Sequence, residues 1–304
     1  MTAPFNLPPA FAIQCPQCED QALDEQHPSC PDCGFGLQNE GRIVLLEHAP
    51  SEEDYSVDGA GAQEEVRHHH FWFTMRNHFI IDLLSKVQNG KRGDRFVEFG
   101  SSNGLVMSKL EEQGWSVLGN DMHLSGLCNA LPIVAGPLIC APLEKVRFVD
   151  PVEAVGFFDV IEHLDDDYGA LEHAVEQLKP GGYLAVTVPA FQELWSQFDL
   201  ILGHKRRYSI EQLDELFKRL SLQTVTLRYA FFFSYPIVRL QRKLIKGDSL
   251  SLEQRRKYYR PPYPVINTLL ESLCRIELML VKIGFRPPFG TSVMGLARKE
   301  AAGE

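Results

Sequence analysis

The chain has 304 residues, of which 44% are hydrophobic, 10% aromatic and 23% charged. A chain of this length and composition can bury roughly three-quarters of its unfolded surface, which excludes a wholly disordered or fibrous protein and predicts about two structural units. The net charge is -10. Because such a surface repels a polyanion on average, binding of nucleic acid is not expected without a local basic patch.

We expect neither a targeting nor a membrane-spanning segment in this sequence. The N-terminal residues lack the basic and apolar regions of a secretory signal, so we expect a cytoplasmic protein. The most apolar long segment, residues 263–285, is interrupted by four charged residues: Glu271, Arg275, Glu277 and Lys282. We therefore expect no transmembrane segment.

Four of the seven cysteines lie close together near the N-terminus. They form two C-x-x-C pairs separated by 11 residues: Cys15 and Cys18, then Cys30 and Cys33. Each pair can present two thiolates to one tetrahedral zinc ion, and a unit this small has too little hydrophobic core to fold without such a metal. Because sulfur fills all four coordination positions, the expected zinc is structural. The alternative is four reduced cysteines on a surface loop.

The pattern divides the chain into a zinc ribbon at residues 1–46, an acidic flexible linker at 47–63 and a large α/β domain at 64–304. In the large domain, a helical pattern begins at residue 64. Short apolar runs then alternate with amphipathic segments, which predicts a mostly parallel sheet with helices on both faces. Strands are expected near residues 95–99, 115–120, 136–140, 153–158, 182–188, 223–229 and 291–298. Helices are expected near residues 103–113, 166–179 and 210–220, and Ser209 with Gln212 forms a capping box at the last of them.

A loop of small residues follows the first strand of the predicted sheet. Its residues of interest are Glu98, Gly100, Ser102 and Gly104. Glycines let backbone N–H groups approach a ligand closely, and the following helix N-terminus adds partial positive charge. The next strand ends at Asp121, where a carboxylate can accept both hydroxyls of a ribose. These features predict an adenosine-containing cofactor, although Ser102 and Leu105 break the G-x-G-x-x-G pattern of nicotinamide dinucleotide sites.

The pattern E/D-x-G-x-G-x-G is met at Glu98, Gly100 and Gly104, and here the chain resembles the seven-stranded, Rossmann-like (class I) methyltransferases that use S-adenosylmethionine (SAM). The resemblance extends to the segment 157–167 and to the Pro-Gly-Gly turn within 178–189. Residues 195–208, which include Gly-His-Lys-Arg-Arg-Tyr, resemble a bacterial subgroup that often carries an N-terminal zinc ribbon. The resemblance implies a Rossmann-like, mostly parallel seven-stranded sheet preceded by a small zinc ribbon.

The resemblance also implies a SAM site with seven residues: Glu98, Gly100, Ser102, Gly104, Asp121, Met122 and Asp159. The loop residues would surround the methionine part, Asp121 would hold the ribose and Met122 would pack on the adenine. Two positions depart from the family pattern. Ser102 replaces a glycine, which is tolerable if its φ is negative, and Cys140–Ala141 stands where the family often has an acid facing the adenine.

Two histidines are candidates for the base that removes a proton from the methyl acceptor. His163 follows the fourth predicted strand and His204 follows the fifth, and open α/β sheets bind ligands at the carboxyl ends of strands. A structural role in a loop is the alternative for each. In a further hypothesis, Asp159, Glu162 and both histidines hold a divalent ion, in partial resemblance to metal-assisted O-methyltransferases.

Two other groups of charged residues have competing interpretations. Arg206 and Arg207 either hold an anionic group of the acceptor or form ion pairs with the acidic residues 165–167. Residues 68–70 are three consecutive histidines. Because adjacent residues on a helix point in different directions, a solvated or packed face is expected there and not a metal site.

About 60 residues separate the last two predicted strands, and we treat residues 231–289 as a helical insertion. Residues 236–260 carry eight Lys or Arg against two acidic residues. The insertion is expected to form a lid or cap, or to touch an anionic membrane from the inner face.

The sequence therefore predicts a SAM-dependent methyltransferase, with O-methylation of a small or lipid-linked, possibly saccharide-containing acceptor as the leading hypothesis. One alternative is an RNA methyltransferase that uses the ribbon for docking, against which the net charge of -10 counts. The other is a SAM-binding scaffold without turnover, suggested by the two departures from the family pattern.

Overall fold

The computed structural model describes residues 7–46, 70–87, 93–244 and 263–301. The strands are β1 (Ile13–Gln14), β2 (Ala22–Leu23), β3 (Gln38–Glu40), β4 (Ile43–Leu45), β5 (Arg95–Phe99), β6 (Ser116–Asp121), β7 (Leu138–Cys140), β8 (Val152–Phe158), β9 (Leu178–Pro189), β10 (Leu222–Ala230) and β11 (Ser292–Lys299). β1 and β2 pair with each other, and the other nine form one sheet in the order β10-β11-β9-β8-β5-β6-β7-β4-β3. The seven predicted strands are present, and β3 and β4 extend their sheet to nine strands.

The sheet is mostly parallel, as predicted. Its central pairs from β9 to β4 are parallel, whereas β11 runs antiparallel to both of its neighbours and β3 runs antiparallel to β4. Phe99 lies beside Asn120 and Phe157, and Phe158 lies beside Thr187. Because these parallel strands end together, the loops that follow β5, β6, β8 and β9 meet at one edge of the sheet.

Helices cover both faces of this sheet. They are α1 (Phe71–Leu84), α2 (Leu105–Glu112), α3 (Leu124–Ala130), α4 (Asp167–Glu176), α5 (Gln197–Ile201), α6 (Ile210–Arg219), α7 (Tyr235–Leu244) and α8 (Pro264–Lys282). Phe96 belongs to one hydrophobic cluster and Val97 to another, because adjacent residues of a strand point to opposite faces. The predicted capping box of α6 is confirmed, since Ser209 and Gln212 exchange side-chain to backbone hydrogen bonds.

The N-terminal unit is built into the large sheet. β4 pairs with β7, with Ile43 beside Leu138, and Val44 is fully buried in the same hydrophobic cluster as Val97. Arg42 donates from Nη2 to the carbonyl of Leu131 at 2.7 Å. The ribbon therefore shares a hydrophobic core with the rest of the protein, a packing that the sequence did not predict. The linker predicted at 47–63 lies outside the described residues.

The N-terminal end of α1 accounts for one histidine of the tract at 68–70. The ring Nδ1 of His70 accepts a hydrogen bond from the N–H of Trp72 at 3.1 Å and so caps the helix. Burial lowers the pKa of His70 to about 4, so the ring is neutral near pH 7. The packed interpretation thus holds for His70, whereas His68 and His69 lie outside the described residues, as does the predicted start of the helix at residue 64.

The insertion after β10 contributes α7 and α8, and residues 245–262 between them lie outside the described residues. The short turn at residues 232–234 connects β10 to α7 and also contacts α8. In the described parts of the chain, we find no helix with the length and apolar content needed to span a bilayer.

Candidate active site

The glycine loop joins β5 to α2 and closes against the end of β6. The N–H groups of Gly100 and Ser101 both donate to the carbonyl of Asn120, at 2.7 and 3.0 Å. Gly100 has a φ of +73°, and a Cβ at this position would lie 2.4 Å from Cγ2 of Val160. Gly104, the N-cap of α2, has a φ of +70°. The loop therefore requires glycine at both positions.

Ser102 departs from the expectation that its φ would be negative. Its φ is +45°, a conformation that non-glycine residues seldom adopt. The residue lies against Gly126 of α3, where an ideal Cβ would come within 3.2 Å of Cα and 3.4 Å of Oγ of Ser102. The N–H of Ser102 donates to Oδ2 of Asp121 at 2.9 Å. A glycine on the neighbouring helix thus provides the space, and the Asp121 carboxylate fixes the backbone.

Asp121 lies at the end of β6, directly beside the glycine loop. Besides the bond from Ser102, its Oδ1 accepts a hydrogen bond from the N–H of His123 at 2.8 Å. Burial raises the pKa of Asp121, and these two backbone donors oppose the rise. The next residue, Met122, is exposed. Cys140 is buried, and its thiol donates to the carbonyl of Met122 at 3.6 Å. The position where the family often has an acid facing the adenine therefore offers a thiol and not a carboxylate.

Arg76 of α1 pairs with one predicted cofactor residue, Asp159, and its charge acts on a second, Glu98. Its Nε forms an ion pair with Oδ2 of Asp159, and its Nη2 donates to the carbonyl of Phe158. Glu98 is almost fully buried, and its Oε2 has no hydrogen-bond partner among the described residues. Burial raises the pKa of Glu98 to about 8; Arg76 opposes this rise and Asp121 adds to it. The site therefore holds a buried acid that lacks a full counter-charge.

His163 and His204, the two candidates for the base, lie side by side in the structure. Their ring centroids are 4.8 Å apart at an interplanar angle of 83°. Burial lowers the pKa of His163 to about 4, and the proximity of His204 adds to this effect. His163 is therefore neutral near pH 7. Nδ1 of His204 lies 3.0 Å from Oδ1 of Asp199.

Asp199 is a fully buried carboxylate behind His204. Its Oδ1 also accepts a hydrogen bond from Nε of Arg207 at 2.7 Å, and its Oδ2 accepts one from the N–H of Ser196 at 2.8 Å. Burial works against ionisation, but the bond from His204 and the charge of Arg207 hold the pKa of Asp199 at about 2. Because an ionised carboxylate can only accept, Nδ1 of His204 carries a proton and its Nε2 is left as the basic nitrogen when the ring is neutral.

Glu162 lies beside the two histidines and is fully buried. Neither of its carboxylate oxygens has a hydrogen-bond partner among the described residues. One ligand atom from each of Glu162, His163 and His204 lies within 4.8 Å of the others. Burial and the nearby Asp159 raise the pKa of Glu162. The fourth residue of the hypothetical ion site, Asp159, instead pairs with Arg76.

Arg206 forms the predicted ion pair with the acidic residues 165–167, whereas the carboxylate that Arg207 binds, Asp199, lies outside that run. Nη1 of Arg206 lies 2.9 Å from Oδ1 of Asp167, and its Nη2 donates to the carbonyl of Asp165 at 2.8 Å. Arg207 binds Asp199, as described above. Both arginines therefore fix the loop that carries His204.

The four N-terminal cysteines converge as their spacing predicted. The Sγ atoms of Cys15 and Cys33 are 3.5 Å apart, as are those of Cys18 and Cys30, and all four lie within 4.8 Å of one another. A tetrahedron with Zn–S bonds of about 2.3 Å has sulfur atoms about 3.8 Å apart. The cluster thus fits a structural zinc ion, which thiolates favour.

Comparison with known proteins connects this geometry to a family. A family model described as "Methyltransferase domain" matches residues 68–227. The chain belongs to this methyltransferase family. No curated protein gives a match.

Solved structures agree with this assignment at the level of the fold. One similar structure is Haemonchus contortus phosphoethanolamine N-methyltransferase 2 in complex with S-adenosyl-L-methionine, which is 18% identical to this chain, with a TM-score of 0.54. The match covers 84% of this chain and 60% of the Haemonchus chain. The present chain therefore spans less than two thirds of that protein. A chain from the complex that contains the Haloferax volcanii Trm112 methyltransferase activator is 15% identical, with a TM-score of 0.53 over 80% of this chain and 96% of that chain. The methyltransferase thus has the class I, Rossmann-like fold.

Sequence reasoning missed two side chains that organise the site of this methyltransferase. Arg76 lies in a helix outside the motifs, and only packing brings it to Asp159. Asp199 precedes His204 by five residues and offered a weak indication, because an acid and a histidine on either side of a tight turn can contact each other.

Proposed function

We propose that this methyltransferase binds SAM at the glycine loop and transfers the methyl group to a hydroxyl of a small or lipid-linked acceptor, including acceptors that contain a saccharide. The observation that carries the proposal is the meeting of the glycine loop, Asp121, the buried Glu98 and the Arg76–Asp159 ion pair at one edge of the sheet. An adenosine and an amino acid joined by a sulfonium need such a combination, because the site then offers acceptors for the ribose and charges of both signs for the methionine part.

The residues present fit SAM in several respects. Gly100 and Gly104 permit the tight, positive-φ loop, in which a Cβ at either position would overlap neighbouring side chains of the protein. The buried and unpartnered Oε2 of Glu98 can accept a hydrogen bond from the methionine ammonium, and Arg76 can bind the carboxylate. Asp121 would accept from the ribose hydroxyls, while the exposed Met122 would pack on the adenine. Asp159 would act through Arg76 and not by direct contact.

Isothermal titration with SAM tests this placement. Asp121→Ala is expected to weaken binding by at least about 10-fold, since hydrogen bonds to a charged group contribute about 1.5–3 kcal/mol. Gly100→Ala should weaken it as well, because the new Cβ would overlap Val160. Asp165→Ala, in an exposed loop at the same edge, is the matched control. Unchanged affinity in both site variants would show that the cofactor binds elsewhere.

The preference for a hydroxyl acceptor comes from the histidine pair. SAM supplies an electrophilic methyl group, and a hydroxyl oxygen that attacks this group must lose its proton. Nε2 of His204 can take up that proton, because Asp199 holds Nδ1 as the donor and stabilises the imidazolium that forms. His163 packs against this ring and limits its rotation. These histidine roles are our proposal for the acceptor side of the site.

His204→Asn tests the proposed base. We expect turnover to fall by about 10²–10⁴-fold while SAM affinity is unchanged, which is the usual contribution of a positioned base. His27→Asn, at an exposed position in the ribbon, is the control.

Transfer of a radiolabelled methyl group from SAM to bacterial lipid and polar extracts, followed by mass spectrometry, would identify the modified atom. Label on nitrogen alone would contradict the hydroxyl proposal.

A metal-assisted reaction is a second candidate, favoured by the unpartnered oxygens of Glu162 beside two histidines. A carboxylate with two imidazoles suits zinc, iron or cobalt, and Asp199 would orient His204 as outer carboxylates do in metal sites. Metal analysis of the purified protein distinguishes the two schemes. One zinc per chain supports the His204 base, whereas a second metal that is lost in Glu162→Gln supports the metal scheme.

We further propose that the protein is cytoplasmic and contacts an anionic membrane peripherally. The average charge argues against a nucleic-acid partner and so against the RNA methyltransferase alternative. The basic insertion supports the membrane contact.

A further inference from the structure

Helix α8 exposes an apolar stripe along its whole length. We define this stripe as six side chains that are between 47% and 83% exposed: Val265, Ile266, Leu269, Ile276, Met279 and Ile283. They recur at intervals that place them on one side of the helix, over about 27 Å. The opposite side carries the buried residues Cys274, Glu277 and Val281. An exposed apolar surface of this length is unusual in a monomeric protein and indicates an interaction surface.

The insertion that carries this stripe differs in charge from the rest of the sequence. Residues 231–289 contain 11 Lys and Arg against four Asp and Glu, a net charge of +7. The rest of the chain contains 19 Lys and Arg against 36 Asp and Glu, a net charge of -17. The insertion is thus strongly basic in an acidic protein, and Lys282 and Arg286 are exposed at the C-terminal end of the stripe.

Helix α7 adds to the same combination of apolar and basic side chains. Ile237 and Leu240 are more than half exposed, and Arg239 lies between them in sequence. An aromatic cluster ties this helix to the segment after α8: Phe289 lies 4.7 Å from both Phe232 and Tyr235, measured between ring centroids. This packing holds α7 and the C-terminal end of α8 in a fixed relation.

A lipid surface fits these features better than other partners. A nucleic acid would satisfy the basic residues but leave the stripe in water, and a second insertion of charge +7 would be repelled. α8 contains Glu271, Arg275 and Lys282, so it suits the plane of a bilayer interface and not its interior. Apolar insertion combined with attraction to anionic headgroups is the binding mode of interfacial helices.

We infer that the apolar stripe of α8, together with Arg239, Lys282 and Arg286, is a docking surface for an anionic lipid bilayer. α8 also packs against α1, and the N–H of Phe71 donates to Oδ1 of Asn267 at 2.9 Å. α1 carries Arg76, so the docked helix is directly connected to the active site. This inference deepens the proposed function, on which it rests for the reaction, by assigning the acceptor to the lipid-linked class.

Co-sedimentation of the full chain with vesicles tests the docking. The probes are phosphatidylcholine vesicles with and without phosphatidylglycerol. We expect binding that requires the anionic lipid and decreases with salt. The double variant Leu269→Glu, Met279→Glu should lose binding by at least about 10-fold, because acidic side chains on the apolar face oppose insertion. The triple variant Arg239→Glu, Lys282→Glu, Arg286→Glu should lose it to a similar extent, since each basic residue near the surface contributes about 1 kcal/mol.

Matched controls lie outside the surface. Leu200→Glu replaces an exposed apolar residue of α5, and Lys109→Glu reverses an exposed charge of α2; both should bind vesicles like the wild type. Circular dichroism and SAM titration establish that each variant is folded with an intact cofactor site. Absence of binding to anionic vesicles at low salt would overturn the inference, as would binding that survives both multiple variants.

Two further outcomes would also overturn it. Light scattering that shows a dimer which the stripe variant abolishes, without vesicle binding, would assign the stripe to a second copy of the chain. Displacement of the protein from vesicles by polyuridylate, with no effect of the stripe variant, would assign the basic residues to RNA. The cofactor placement is tested separately, because SAM binding by Asp121→Ala does not depend on vesicles.

Discussion

The N-terminal ribbon and the helical insertion are both additions to the seven strands of the methyltransferase sheet, but they join it in opposite ways. The ribbon extends the sheet through β4 and buries its apolar residues, including Ile43 and Val44, which have no exposed surface. The insertion buries one side of α8 and leaves the other side apolar and exposed. Burial of its apolar side chains indicates a structural role for the ribbon, whereas the exposed apolar side of α8 indicates a surface with a partner.

Removal of a zinc ligand from the ribbon should have the largest effect on stability. We expect Cys15→Ser to lower the free energy of unfolding by at least about 5 kcal/mol, because structural zinc sites contribute about 10–16 kcal/mol to folding. Since the ribbon and the sheet share a core, calorimetry should show one transition at lower temperature. Cys128→Ser, at an exposed cysteine, is the control. Two separate transitions would show that the ribbon folds independently.

The buried attachment of the insertion should make stability depend on pH. Burial raises the pKa of Glu277 from 4.5 to about 7, while the backbone of residues 231–233 and Arg228 act in the opposite direction. The folded protein therefore holds this proton more tightly than the unfolded chain. Its stabilising effect, about 3 kcal/mol, is fully present below pH 4.5 and is lost as the pH rises through about 7.

Denaturant titrations between pH 4 and pH 8 measure this effect as the difference between the wild type and Glu277→Gln. The free energy of unfolding of the variant should fall less steeply as the pH rises. The decline that remains should come from other buried acids such as Glu98. Glu271→Gln, on the same helix but paired with the partly exposed Arg275, should keep the slope of the wild type. Equal slopes in all three proteins would show that Glu277 is ionised in the folded state.

One substitution made in both regions gives a direct comparison. Val44→Ala should lower the free energy of unfolding by about 2 kcal/mol, through lost burial and an internal cavity. Val265→Ala, at a residue that is 81% exposed, should change it by no more than about 0.5 kcal/mol. Chemical denaturation of the two variants gives both values, and similar losses would mean that the stripe is covered in the free protein.

The smallest expected effect concerns a pair of arginines. Arg42→Gln should lower the free energy of unfolding by about 1 kcal/mol, because Arg42 donates from the ribbon to the carbonyls of Leu131 and Val134. Arg275→Gln should cost no more than about 0.5 kcal/mol, since its bond to Glu271 is an exposed pair one turn apart on a helix. Thermal unfolding of the two variants shows which of them loses more stability. Equal shifts would show that this contact does not tie the ribbon to the sheet.

Much of the site could be predicted because strand ends carry local sequence patterns. Glu98, Gly100 and Gly104 are read from a strand that runs into a glycine loop, and Asp121 from the end of the next strand. The parallel topology then requires these residues to meet at one edge. Ser102 shows the limit of this reasoning, since its positive φ depends on the space that Gly126 leaves on a separate helix.

The sequence was sufficient to infer the alternation of strands and helices, the cysteine cluster and the glycine loop, because each depends on residues that are neighbours along the chain. The folded structure was needed to show that the ribbon joins the sheet, that Arg76 reaches Asp159 and that one side of α8 remains exposed. These features depend on contacts between residues far apart in sequence, where burial and geometry select the partner and no local pattern specifies it.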